Sequence, residues 1–118
     1  LGADGIIVSN HGGRQLDYAV SGIAALPAVK AAAGDMAVML DGGVRRGSDV
    51  LKAIALGADF VFVGRPFLFA AAVAGDAGVK HAVSLLAAEI DRDMAMIGAP
   101  SLDAITPDIL AENALARP

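Results

Sequence analysis

Gly5-Ile6-Ile7-Val8-Ser9-Asn10-His11-Gly12-Gly13-Arg14 begins as an unbroken apolar run and turns polar and glycine-rich at once. A short continuous apolar run bounded by turn residues predicts a strand buried on both faces. The pattern returns in Ala37-Val38-Met39-Leu40, which ends at Asp41-Gly42-Gly43, and in Phe60-Val61-Phe62-Val63, which ends at Gly64-Arg65. Helical spacing fills the gaps. Ser21 to Ala33 carries Ile23, Leu26 and Val29 and stops at Gly34, and Pro27 predicts that its regular part begins only there. Ser48 to Leu56 carries Val50, Leu51, Ile54 and Ala55, with Ser48 as the expected N-cap and Gly57 as the stop. Pro66 suits the first turn of a helix running to Val73. Val79 to Ile97 presents an apolar stripe of Val83, Leu86, Ile90, Met94 and Ile97 and ends at Gly98. The last dozen residues read as a short helical turn and a tail.

Strands alternating with helices through short loops predict βαβ units on a parallel sheet, an α/β fold. Leu1-Gly2-Ala3-Asp4 before the first strand is echoed by Leu56-Gly57-Ala58-Asp59 before the third, so the same strand-entry chemistry is used twice. Three strands make a small open sheet. The chain is therefore either a small doubly wound domain or the closing part of a (β/α)8 barrel. Its abrupt opening, without Met, favours the barrel piece.

Composition narrows the function. Hydrophobic residues make up 56% of the 118 and charged residues 19%, enough to build a core. With five aromatic residues and no Trp, that core must be aliphatic. A net charge of −4 argues against a nucleic-acid or anionic-membrane binder, which needs a basic face. The absence of cysteine excludes a disulfide scaffold, a thiolate zinc site and a cysteine nucleophile. No metal site is expected. No stretch of about 18 apolar residues runs free of Gly or charge, so no membrane span is expected.

In a parallel α/β sheet, chemistry gathers just past the carboxyl ends of the strands. After the first strand, Ser9-Asn10-His11-Gly12-Gly13-Arg14-Gln15-Leu16-Asp17 places an imidazole, suited to a general base, three residues from a planar guanidinium fork that matches a carboxylate or phosphate. The bland alternative is a glycine-rich turn with a solvated His and Arg, but His11, Gly12, Gly13 and Arg14 together at one strand end favour function. After the second strand, Asp41-Gly42-Gly43-Val44-Arg45-Arg46-Gly47-Ser48 leads into a helix. Free glycine amides, the positive helix end and an arginine predict an anion site, with Asp41 placed to accept from a ribityl-type hydroxyl or to orient the loop. Gly64-Arg65 after the third strand adds a second amide and guanidinium. Neither loop is a Walker loop or a G-x-G-x-x-G fingerprint. His81 reads as surface, Asp91-Arg92-Asp93 as a solvated helix face, and the four methionines as core filler.

These three loops together resemble the FMN-dependent α-hydroxy acid oxidase/dehydrogenase family, whose members include glycolate oxidase, lactate oxidase and mandelate dehydrogenase. The similarity runs from Leu1 to about Leu110, and its first motif is the specific one. The resemblance implies a TIM barrel, of which this chain would be the last three βα units plus C-terminal helices, residues 1–118 forming the C-terminal part of the barrel domain. It implies FMN as cofactor and oxidation of a small (S)-2-hydroxy acid to the 2-oxo acid. His11 would be the base, Arg14 would pair with the substrate carboxylate, and Ser9 would lie near the flavin. Asp41, Gly42, Gly43, Val44 and Arg45 would line the ribityl chain and phosphate, and Gly64 and Arg65 would close the phosphate site. The family's other functional groups lie on earlier strands, so the resemblance also implies a partner: the N-terminal part of the same barrel. A homo-oligomer, a tetramer by resemblance, is expected, with no nucleic-acid partner. The location expected by default is cytoplasmic, since Leu115-Ala116-Arg117-Pro118 is not a peroxisomal signal. The other readings are a different FMN- or phosphate-binding barrel enzyme, an isomerase or a nucleotide-acting one, and a non-catalytic barrel remnant.

Overall fold

The three apolar runs pair in parallel, in the order β1-β2-β3, in the computed structural model, which describes residues 2–111. The strands are β1 (Gly5–Val8), β2 (Ala37–Asp41) and β3 (Phe60–Phe62). Ile6 stands beside Val38, and Val8, Leu40 and Val61 align in one row. Helices α1 (Gly22–Ala32) and α2 (Gly47–Ala55) cover this face. Leu26, Val38 and Leu40 are fully buried there, joined by Ala33, Val44, Val50, Ala53 and Ala58. An aliphatic core built on short side chains is what the composition demands, and it comes from alternate strand residues.

The opposite face is different. Ile7, Met39 and Phe60 form its middle row, and Asp41 and Phe62 the next. Ile7 is 52% exposed and Phe60 56%. The strands were expected to be buried on both faces; among the described residues only one face is covered. Among the described residues, no layer lies over the apolar residues of the other face.

Pro27 does not delay α1. The helix starts at Gly22 and runs through the proline, because Leu26 is fully buried and Ile23 and Val29 pack on the same core. Tertiary packing outweighs the one hydrogen bond that proline removes. Ser48 is not the cap of α2: the helix begins one residue earlier, after Arg46, and Asp49 accepts the Arg46 amide proton at 3.0 Å. Helix α3 (Arg65–Ile97) joins the two helices expected after β3, with Ala74 and Gly75 leaving helical geometry between them. By length and hydropathy α3 suffices to cross a bilayer, contrary to expectation, but that break divides it. Its stripe is only partly used: Leu86, Ile90 and Met94 pack inward, while Val83 and Ile97 stay exposed. Ile105, after a single 3-10 turn at Leu102–Ala104, closes a second cluster with Leu51 and Ala55. A turn at Pro107–Ile109 matches the short helical turn expected at the end. Residues 112–118, with Leu115-Ala116-Arg117-Pro118, lie outside the described residues.

Candidate active site

The chain leaves β1 through an unusual backbone. His11, Gly12 and Gly13 all take left-handed conformations, with φ of +55°, +65° and +70°. Glycine adopts this freely, whereas histidine does so at a cost of roughly 1–3 kcal/mol. The loop is held from both sides. Ser9 Oγ accepts the His11 amide proton at 3.0 Å and donates to Asp41 Oδ2 at 2.6 Å, tying the ends of β1 and β2 together. The Asn10 side chain donates to the Val20 carbonyl at 3.3 Å. The His11 ring meets Gln15 Oε1 through Nδ1 at 3.0 Å, leaving Nε2 free among the described residues.

The second loop lies against the first. A Cβ at Gly42 would stand 3.3 Å from Asn10 Oδ1 and 3.8 Å from the Gly12 nitrogen, so the two loops meet where neither can carry bulk. From the third loop, Arg65 reaches across to donate to the Gly12 carbonyl at 3.3 Å. The three loops thereby border an open cavity of about 150 Å³. His11, Gly12, Arg14, Asp41, Gly42, Gly43, Val44, Arg45, Gly64 and Arg65 line it, with Phe62, Pro66 and Leu68 as its apolar wall. Every candidate residue except Ser9 thus borders the cavity, and Ser9 is bonded to Asp41. Val44 turns inward, 5% exposed, so it offers the cavity little beyond main chain.

One expectation fails. The positive end of α2 is already occupied by the chain's own carboxylates. Asp49 Oδ2 takes the amide protons of Arg45 and Arg46 at 3.0 Å each, and Glu89 Oε2 takes that of Gly47 at 2.8 Å. What lines the cavity is Arg45, Arg65, the loop glycines and the first turn of α3. Two guanidinium groups and a glycine-lined wall fit a phosphate. A Cβ at Gly43 would meet nothing within 4 Å, so there is open space beside that wall. Sequence reasoning passed over Asn10, Gln15, Asp49 and Glu89. The first two sat inside the quoted motif; the last two act from helices, and only folding brings Glu89 to the loop.

The sequence matches the FMN-dependent dehydrogenase family over residues 1–112. The chain belongs to that family. The chain is 58% identical over 106 residues to glycolate oxidase 5 of Oryza sativa subsp. japonica, covering 89% of its own length and 29% of the relative. It is 52% identical over 110 residues to L-lactate oxidase of Nostoc sp., covering 92% of itself and 30% of that protein. It superposes on mandelate oxidase with benzoyl-formic acid at a TM-score of 0.84, with 53% identity over 88% of this chain and 31% of that one. A mandelate oxidase mutant with a monooxide FMN adduct gives 0.83 and 53% over 88% and 33%. The chain thus spans about a third of these relatives. Those with solved structures supply the barrel context into which this partial α/β sheet fits.

Proposed function

We propose that this chain is the catalytic C-terminal part of an FMN-dependent enzyme that oxidises a small (S)-2-hydroxy acid to the 2-oxo acid. The observation that carries this reading is the sharing of one cavity by His11 and Arg14 with Arg45 and Arg65. A base and a carboxylate fork on one loop suit a 2-hydroxy acid, and the two further guanidinium groups suit the phosphate of a flavin nucleotide.

In this reading Arg45, Arg65 and the glycine main chain hold the FMN phosphate, while Asp41 and Ser9 lie at the ribityl side. Bound there, FMN supplies the acceptor for two electrons. Arg14 clamps the substrate carboxylate and fixes the α-carbon in position. Nε2 of His11 takes the proton released as the substrate is oxidised, and Gln15 on Nδ1 holds that tautomer. The wall of Phe62 and Leu68 keeps water from one side. The chain would supply the last three βα units of a (β/α)8 barrel, and the preceding strands of the same barrel would cover Ile7 and Phe60. A homo-oligomer, by resemblance a tetramer, completes the proposal.

The test is the visible spectrum of the purified particle before and after anaerobic addition of glycolate, lactate or mandelate. Flavin bands that bleach with one of these acids support the reading and name the substrate. Bands that persist with every 2-hydroxy acid favour an FMN barrel of other chemistry, and a colourless particle favours a remnant.

A further inference from the structure

Glu89 lies on α3, 42 residues from the anion loop in sequence, yet its carboxylate is bonded into that loop. Oε2 accepts the Gly47 amide proton at 2.8 Å and an Arg46 Nε proton at 3.1 Å, and Oε1 faces Arg46 Nη2 at 2.8 Å. The contact is close by construction: a Cβ on Gly47 would come within 2.5 Å of the Ile90 nitrogen and 2.6 Å of Glu89 Cβ. Only glycine lets the loop press onto α3 here. The Glu89 side chain is 21% exposed and that of Arg46 71%. An exposed ion pair usually contributes little, but a two-toothed fork with an added main-chain bond fixes geometry.

We propose that Glu89 is the positioning residue of the anion cradle. It holds the Arg45–Gly47 turn from behind, takes Arg46 out of play as an anion ligand, and leaves Arg45 aimed into the cavity. Arg45 lines the cavity and Arg46 does not, as this division requires. Adjacent arginines thus have opposite duties: one is neutralised by the chain's own carboxylate and the other is kept free. Asp49 assists by holding the two arginine amides. The proposal rests on the reading of this cavity as a flavin phosphate site.

Paired ligands test it. FMN and riboflavin differ only by the phosphate, so a residue that acts through the phosphate cradle changes one affinity and not the other. In the purified particle, Glu89→Ala is expected to weaken FMN binding about tenfold while riboflavin binding stays within about twofold, with Glu89→Gln between wild type and Glu89→Ala. Arg46→Met, at a side chain 71% exposed, is expected to shift the same ratio in the same direction. Should Glu89→Ala fail to fold, Arg46→Met and Glu89→Gln decide. Equal weakening of both ligands, or unchanged FMN binding in these variants, overturns the positioning role and leaves the flavin reading intact. Failure of the wild type to prefer FMN over riboflavin overturns both.

Discussion

A histidine with φ of +55° is held there by its neighbours, not by preference. The Ser9 hydroxyl takes its amide proton, Gln15 takes its ring, and the glycines that follow continue the left-handed path. Strain of this kind persists where the surroundings over-determine it, and here it belongs to a residue that lines the cavity. Replacing His11 with Gln keeps a polar side chain of similar reach but removes the proposed base. Flavin should stay bound, and its anaerobic reduction by the 2-hydroxy acid should slow by about 10²–10⁴-fold in stopped-flow traces. A near-wild-type rate would take the base role from His11. For Arg14→Met the expected loss is of substrate binding and reduction rate together, each by about tenfold or more, measured as the dependence of the reduction rate on acid concentration. An unchanged half-saturation concentration would place the carboxylate elsewhere. Both residues stood out in sequence as candidates, and both line the cavity, because a loop at a strand end carries its chemistry locally. Asn10 and Gln15 were visible in the same loop, but their partners, the Val20 carbonyl and the His11 ring, are matters of chain path.

The elements are tied by polar clasps as well as by the core. Asp59, at the entry to β3, accepts the Val38 amide proton and a Lys30 Nζ proton, each at 2.7 Å, and so joins β3, β2 and α1. These bonds, that to Lys30 foremost, hold its carboxyl below the ordinary 3.8. A carboxyl with a lowered folded-state pKa contributes stability that is fully present above its unfolded value and fades as pH falls through the folded one. Stability from Asp59 is therefore expected to decline below about pH 4 and to be absent from Asp59→Asn. Denaturant titrations of the two proteins between about pH 5 and pH 2 should converge toward acid. Parallel curves would show that the clasp carries no ionic contribution. With the Asp59 side chain 48% exposed, solvent screens the pair, and the effect should shrink in salt. The echo of Leu-Gly-Ala-Asp marked this position in sequence; the identity of its lysine partner, 29 residues away, was not readable from it. The start of α2 shows the same limit, since the Ser48 cap was a sound local choice until Asp49 and Glu89 took the amides instead.

At the scale of the molecule, the two sheet faces carry the argument. One is sealed by α1 and α2 over Leu26, Val38 and Leu40; the other leaves Ile7, Phe60 and Phe62 exposed. Apolar residues in neighbouring rows of a strand face mark a surface meant for a partner, here the preceding strands of the proposed barrel. Phe60→Lys should therefore destabilise the particle containing those strands by about 2 kcal/mol or more, because a charge would enter an apolar interior. The same change in the separate chain should be nearly neutral, as judged by denaturant midpoints. Equal effects in both would mean that nothing covers the face. The sequence by itself determined the three strands, the parallel α/β class, the three polar loops and the residues on them, because hydrophobic period and turn chemistry are local. Only the tertiary structure decided that the loops share one cavity, that α2 keeps its positive end for the chain's own carboxylates, and that one sheet face is bare among the described residues. Those outcomes depend on which distant groups reach an amide or an apolar surface first, and distance through space is not written in the order of the chain.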